Sequence, residues 1–104
     1  MPSSRLDSIK NFLSENPNDP FLLYALGKEY EKLNQTEKAI ETFENLTQSH
    51  PDYVGTYYHL GKLFEANNEF EKAVKIYNSG IGVARKIGDK HAEGELAGAK
   101  LNLE

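Results

Sequence analysis

The chain repeats its own sequence with a period of 34 residues. When residues 20–53 are laid over residues 54–87 without gaps, nine of the 34 positions are identical. Pro17 and Pro51 are also 34 positions apart, so the register extends upstream of residue 20. A fixed period of this length indicates a fold of stacked supersecondary units, because each unit buries its apolar face only against its neighbours.

Within each repeat the apolar residues recur at intervals of three and four, which is the spacing of an amphipathic helix. In the first repeat they are Leu22, Leu23, Leu26, Tyr30, Leu33, Ala39, Ile40, Phe43 and Leu46. Asp19 before Pro20 is a helix N-cap signal, and Asn34 and Asn68 stand where the helical pattern breaks. The pattern predicts six helices, at about residues 4–15, 20–33, 35–49, 53–67, 69–87 and 89–103.

The composition narrows the classes of function. The chain has 104 residues, no cysteine and a formal net charge of −4. This length predicts one domain, the lack of cysteine excludes disulfides and thiolate zinc sites, and the negative charge disfavours broad binding to nucleic acid or anionic membranes. The sequence contains no run near the roughly 18 apolar residues of a membrane helix and no secretory segment. We therefore expect a soluble, cytoplasmic protein.

Small residues stand where the helices of each repeat are expected to cross. They are Gly27, Ala39, Gly61 and Ala73. Gly80 and Gly82 are unusual, because a glycine in a helix interior costs up to about 1 kcal/mol relative to alanine. A crossing against the last helix would explain Gly80, whereas the pattern offers no reason for Gly82.

The repeat resembles the tetratricopeptide repeat, whose pattern is W-x2-L-G-x2-Y, then A-x3-F, then P. The first repeat fills this pattern, apart from the tryptophan, with Leu23, Leu26, Gly27, Tyr30, Ala39, Phe43 and Pro51. The second repeat fills it with Tyr57, Leu60, Gly61, Phe64, Ala73 and Tyr77. Arg85 stands where the second repeat would carry the proline, so its last helix is expected to run on toward Gly88.

The resemblance implies an all-α fold, in which helix-turn-helix repeats stack into an α-solenoid with a right-handed superhelix. It is weaker at both ends, since Arg5 and Ile9 occupy the alanine and phenylalanine positions and Lys90 to Leu103 lacks the Leu-Gly-x2-Tyr core. We interpret residues 1–104 as one domain. Its parts are an N-terminal half-repeat or cap at 1–19, repeats at 20–53 and 54–87, and a C-terminal capping helix at 88–104.

No residues in the sequence have the spacing of a catalytic, cofactor or metal site. His50, His59 and His91 lie far apart, and the carboxylates are distributed as solvated helix faces. The glycines lack the context of a phosphate-binding loop, and no serine lies in a G-x-S-x-G elbow. We therefore expect no enzyme, no cofactor and no metal.

In tetratricopeptide repeat proteins the first helix of each repeat lines a concave groove that binds a peptide of a partner protein. The resemblance carries the groove positions to Phe21, Tyr24, Lys28, Glu31, Gly55, Tyr58, Lys62 and Glu65, with His59 at the edge. Stacking would place Tyr24 beside Tyr58 and Lys28 beside Lys62. Exposed aromatics next to lysines suit a peptide, including an acidic one. The alternative is that the tyrosines pack and the charged residues only solvate the helices.

Two further interpretations concern the partner. Some family members bind the acidic tails of chaperones with a carboxylate clamp of lysine, asparagine and arginine. Tyr24 and Lys28 stand here where the clamp has lysine and asparagine, so this chain departs from the pattern of a chaperone-tail receptor. Self-assembly into a homodimer, by end-to-end stacking or helix exchange, is the main alternative to a free groove, and Leu96, Leu101 and Leu103 motivate it. We expect a protein or peptide partner, no nucleic acid and no membrane, and a monomer or a weak homodimer.

Overall fold

The computed structural model describes residues 4–104. This part of the chain has six α-helices and no strand: α1 (Arg5–Glu15), α2 (Pro20–Lys32), α3 (Thr36–Ser49), α4 (Gly55–Ala66), α5 (Phe70–Ile87) and α6 (Lys90–Leu101). The prediction of an all-α fold is confirmed, and each helix ends within two residues of its expected bounds.

Side-chain caps fix the start of α2 and of α6. Asp19 accepts a hydrogen bond from the backbone N–H of Leu22 at 3.2 Å, and Pro20 occupies the first helical position. Asp89 accepts from the N–H of Ala92 at 2.9 Å. Both caps satisfy an N–H group that has no partner inside the helix, which is why these helices begin where the sequence predicts.

Two asparagines turn the chain between the helices of each pair. Asn34 and Asn68 have φ angles of 60° and 61°, in the left-handed region that asparagine tolerates better than most residues. The chain then closes each turn with a backbone hydrogen bond, from Gln35 to Tyr30 at 2.9 Å and from Glu69 to Phe64 at 2.8 Å. The predicted tight turns at these two positions are confirmed.

The chain forms two compact units, of which the first ends at His50 and the second begins at Pro51. In the N-terminal unit α2 packs against both α1 and α3. In the C-terminal unit α5 packs against both α4 and α6, and α4 also contacts α6. Each unit therefore holds one helix pair of the 34-residue repeat together with one additional helix.

An aromatic ring lies directly over a glycine in each helix pair. A Cβ atom on Gly27 would overlap the ring of Phe43, and a Cβ atom on Gly61 would overlap the ring of Tyr77. Both aromatic residues are completely buried. The close crossing inferred from the sequence therefore depends on the missing side chain at these two glycines.

The junction of α5 and α6 explains two unusual residues of the sequence, Gly80 and Arg85. A Cβ atom on Gly80 would lie 2.6 Å from Cβ of Tyr57 and 2.9 Å from Cδ1 of Leu96, so the expected crossing against the last helix is confirmed. Arg85, which replaces the signature proline, lets α5 continue to Ile87 and places its Nε 2.8 Å from Glu93 of α6. Nothing in the structure explains Gly82, which has no neighbour within 4 Å of its Cβ position.

Candidate functional site

One side of α2 exposes an aromatic residue and a lysine next to a half-buried tyrosine. The Nζ atom of Lys28 lies 5.5 Å from the centroid of the Tyr24 ring, within the range of a cation–π interaction. The Tyr24 ring also lies next to the Phe43 ring, with 6.0 Å between centroids and an interplanar angle of 54°. Phe21, one turn earlier on α2, is 66% exposed. The predicted residues Phe21, Tyr24 and Lys28 therefore lie along one side of this helix.

The same pair recurs on α4 in the C-terminal unit. The Nζ atom of Lys62 lies 5.5 Å from the centroid of the Tyr58 ring, and Lys62 also lies 3.7 Å from the Glu65 carboxylate. His59 stands edge-on to Tyr58, with ring centroids 6.0 Å apart and an interplanar angle of 86°. Each unit thus presents a partly exposed tyrosine with a lysine held over its ring.

A cleft of about 350 Å³ runs along α2 and includes residues that the sequence analysis missed. Its lining consists of Arg5, Phe21, Tyr24, Ala25, Lys28, Glu29 and Lys32. Arg5 reaches from α1, with its Nε 3.5 Å from the carboxylate of Glu29, which is only 7% exposed. The 34-residue alignment contained a signal for this site, because it sets Glu29 against the apolar Leu63.

Glu65 has a structural role as well as a predicted binding role. The hydroxyl group of Tyr77, on α5, donates a short hydrogen bond to the Glu65 carboxylate on α4. In the N-terminal unit the position of Tyr77 is taken by Phe43, which has no hydroxyl group to donate toward Glu31. Glu31 and Glu65 are both half-buried, but only Glu65 ties its own helix pair together through this bond.

The two buried tyrosines of the C-terminal unit make the free energy of unfolding fall at alkaline pH. Burial, together with the hydrogen bond to Glu65, raises the pKa of Tyr77 far above its ordinary value of 10.0. Burial and the nearby Asp52 raise the pKa of Tyr57, whose hydroxyl donates to the Pro51 carbonyl oxygen at 2.7 Å. Because both pKa values are raised, this stabilisation is complete below about pH 10 and is lost as the pH rises above it.

We expect the free energy of unfolding to fall more steeply above about pH 10 in the parent chain than in the Tyr77→Phe variant. The phenylalanine keeps the ring over Gly61 and removes the ionisable hydroxyl. Urea unfolding followed by circular dichroism at a series of alkaline pH values measures the two curves, and a Tyr57→Phe variant is expected to be shallower too. Parallel curves for all three proteins would contradict the conclusion that Tyr77 and Tyr57 cause the loss of stability at alkaline pH.

The histidines make separate contacts. His50 Nε2 lies 2.8 Å from the carbonyl oxygen of Asn18, and His91 Nε2 lies 3.9 Å from Glu95. Among residues 4–104 no group of three or more histidine, aspartate or glutamate side chains is placed to hold a metal ion. In the same part of the chain no helix has the length and apolar character needed to cross a membrane.

Comparison with known proteins agrees with the repeat pattern. Sequence profiles of the tetratricopeptide repeat match residues 9–41 and residues 54–87. The first match begins in α1, before the first full repeat, and the second coincides with the second repeat. No curated protein matches the chain.

Solved structures extend the similarity over most of the chain. A tetratricopeptide repeat domain protein from Salinibacter ruber has both a solution structure and a crystal structure, and in each comparison its sequence is 46% identical to this chain. The solution structure aligns with a TM-score of 0.81 over 85% of this chain and 89% of that one, and the crystal structure with 0.78 over 82% and 94%. A protein from Bordetella parapertussis shares the fold at 22% identity, with a TM-score of 0.85 over 98% of this chain and 89% of its own. The chain is a member of the tetratricopeptide repeat family.

Proposed function

We propose that this chain binds a segment of another protein in the groove of its first helices, through the exposed sides of α2 and α4, and that it does so without catalysis. Tetratricopeptide repeats are generally modules of protein–protein interaction, and proteins of this family are typically non-catalytic scaffolds. The observation that carries the proposal is the repeated tyrosine–lysine pair, with 5.5 Å between the lysine Nζ and the ring centroid in each unit.

The tyrosine–lysine pairs suit the recognition of a peptide with acidic side chains. A tyrosine ring offers a rigid contact surface at low cost in conformational entropy. The lysine over each ring keeps donors free for a carboxylate, since Lys28 is exposed and the Lys62 side chain is 37% exposed. Although the whole chain carries a net charge of −4, these pairs supply local positive charge beside an apolar contact.

The cleft on α2 adds specificity to the N-terminal half of the proposed surface. Lys32 adds a positive charge, Phe21 adds an exposed ring, and Arg5 adds a guanidinium group that already pairs with Glu29. The equivalent positions to Phe21 and Lys32 in the second repeat are Gly55 and Ala66, so the two surfaces are chemically different. We therefore propose that the partner places its most acidic part, together with an apolar side chain, against α2.

Selection from a random displayed peptide library supplies a probe for this proposal. We expect the enriched peptides to be acidic and to contain aromatic or aliphatic residues. Fluorescence anisotropy then measures the Kd of a labelled enriched peptide for the parent chain and for the Lys28→Glu/Lys62→Glu variant. The variant is expected to bind at least about tenfold more weakly, which corresponds to about 1.4 kcal/mol.

A matched control separates this surface from the net charge of the chain. The Lys75→Glu/Lys90→Glu variant makes the same change in charge at two exposed lysines of α5 and α6 and is expected to bind like the parent. Both double variants are expected to stay folded, because substitutions at exposed positions usually change the stability by less than about 0.5 kcal/mol each. Lys62→Glu also removes the 3.7 Å contact with Glu65, so thermal unfolding of each variant accompanies the binding measurement. Equal weakening by the two double variants, or enrichment of basic peptides, would contradict the proposal.

A further inference from the structure

The last helix carries a partial match to the sequence that joins each helix pair. Residues Leu26–Tyr30 of α2 and Leu60–Phe64 of α4 both read apolar-Gly-x2-aromatic, and Ala97–Leu101 of α6 reads apolar-Gly-x2-apolar. In α2 and α4 this stretch faces the second helix of the pair, whose aromatic ring lies over the glycine. On this side, α6 therefore resembles α2 and α4, the first helices of the two repeats.

This surface of α6 is uncovered. Whereas Phe43 and Tyr77 would block a Cβ atom on their glycines, nothing lies within 4 Å of the Cβ position of Gly98. Leu101, on the same side of α6, is 66% exposed.

The other side of α6 already has its partner. Leu96 is 1% exposed and packs at Gly80 of α5, so α6 is held in the C-terminal unit through that side. Within the stretch Ala97–Leu101, Ala99 is also buried, at 5% exposure, so the uncovered side consists of Ala97, Gly98 and Leu101. Of the three leucines that motivated self-assembly, Leu96 is thus buried within the unit, whereas Leu101 is available to a partner.

Helix α1, at the start of the chain, has an exposed apolar side of its own. By the 34-residue period α1 corresponds to α3, with Ile9 at the position of Phe43 and Phe12 at the position of Leu46. Leu46 is completely buried, whereas Phe12 is 59% exposed. Helix α1 thus has the pattern of a second helix and packs on α2 through Ile9, which is 6% exposed.

We propose that α1 of a second copy of this chain packs on the uncovered side of α6. The contact resembles the pairing of α2 with α3 and of α4 with α5, with the exposed Phe12 of one copy against the side of α6 that carries Gly98 and Leu101 in the other. A second copy is the occupant because one chain carries both halves of this missing pair: a first helix with an open glycine and a second helix with an exposed aromatic.

The proposed contact has two physical consequences. It joins different surfaces of the two copies, so it is heterologous and continues beyond a dimer unless the copies close into a ring. One helix pair also buries a small interface, which makes the association weak. Because the contact is apolar and each chain carries a charge of −4, added salt is expected to strengthen it by screening the repulsion between copies.

Sedimentation velocity over about 10 µM to 1 mM, the range suited to weak association, tests the proposal. We expect the average mass of the parent chain to rise with concentration above the monomer mass of 11.7 kDa. Phe12→Glu blocks the α1 surface and Leu101→Glu blocks the α6 surface. Both residues are exposed, so each variant is expected to fold and to remain a monomer by itself.

The decisive sample is an equimolar mixture of the two variants. The intact α1 of the Leu101→Glu chain can still pack on the intact α6 of the Phe12→Glu chain, so the mixture is expected to form a dimer that grows no further. The Leu33→Glu variant, which changes an exposed leucine outside both surfaces, is expected to associate like the parent. The Lys28→Glu/Lys62→Glu variant is also expected to associate, which keeps this inference independent of peptide binding.

Several results would overturn the inference. A parent chain that stays at 11.7 kDa at every concentration excludes the contact. A Phe12→Glu chain that still associates by itself shows that α1 is not used, and a mixture of the two variants that stays monomeric shows that α1 and α6 do not pair. Loss of association in Leu33→Glu would indicate nonspecific aggregation instead.

Discussion

Substitution of Gly61 by alanine is expected to lower the free energy of unfolding by about 1 to 3 kcal/mol, the usual cost of forcing extra atoms into a packed core. The added Cβ atom would overlap the ring of Tyr77, which is fully buried and is also held by its hydrogen bond to Glu65. Neither the ring nor the α4 backbone can move without disturbing the other contacts of this helix pair. Chemical denaturation monitored by circular dichroism measures the effect.

The Gly82→Ala variant is the matched control for Gly61→Ala. It makes the same chemical change inside a helix, at a position whose Cβ atom would have no neighbour within 4 Å. Here only helix propensity acts, so alanine is expected to stabilise the chain by about 0.5 to 1 kcal/mol. If both substitutions shifted the denaturation midpoint in the same direction, the close crossing at Gly61 would not be what holds α4 to α5.

Substitution of Phe43 by alanine is expected to have the largest effect of any single change, a loss of about 3 to 5 kcal/mol. Phe43 is completely buried, covers Gly27 and contacts the ring of Tyr24 at 6.0 Å between centroids. Removing it leaves a cavity between α2 and α3, and a loss of this size is a large part of the stability of a small domain. Denaturant or thermal unfolding shows whether the variant still folds.

A double-mutant cycle tests whether Gly27 and Phe43 act as a pair. Gly27→Ala and Phe43→Leu are each expected to destabilise the chain, but the double variant should lose less than their sum, because the smaller leucine leaves space for the new Cβ atom. The expected coupling is about 0.5 to 3 kcal/mol. Effects that add within about 0.5 kcal/mol would show that the two residues do not share one contact.

Much of the fold follows from local signals in the sequence. Apolar residues at intervals of three and four mark the helices of the two repeats, and Asp19, Asn34 and Asn68 mark ends that the structure confirms. Gly27 and Gly61 could be interpreted as close crossings because a small residue stands at the same position of both repeats. Because these features occur in both repeats, they can be recognised in the sequence without knowledge of the tertiary contacts.

The parts that were not predicted depend on contacts between distant residues. The pairing of Arg5 with Glu29 joins two helices outside the repeat register, and the hydrogen bond from Tyr77 to Glu65 exists in only one of the two repeats. Helix α6 was interpreted as a cap because it lacks the full Leu-Gly-x2-Tyr core. Only the structure shows that Gly98 and Leu101 are left uncovered.

The predicted candidate site is one groove lined by α2 and α4. Within α2 and within α4 the structure brings each tyrosine to its lysine, as a spacing of four residues on a helix requires. Joint binding of one peptide by the two helices stays a prediction, and so does the participation of each predicted residue: Phe21, Tyr24, Lys28, Glu31, Tyr58, His59, Lys62 and Glu65. The residues that bind a partner depend on that partner, which a single sequence does not contain.

A titration followed by proton–nitrogen correlation NMR tests the central claim most directly. The isotope-labelled chain is mixed with the acidic peptide enriched from the library, at a protein concentration low enough to limit self-association. We expect the largest shift changes at the amides around Tyr24 and Lys28 of α2 and around Tyr58 and Lys62 of α4. Changes confined to the exposed sides of α3, α5 or α6, with the amides of α2 and α4 unaffected, would contradict the account.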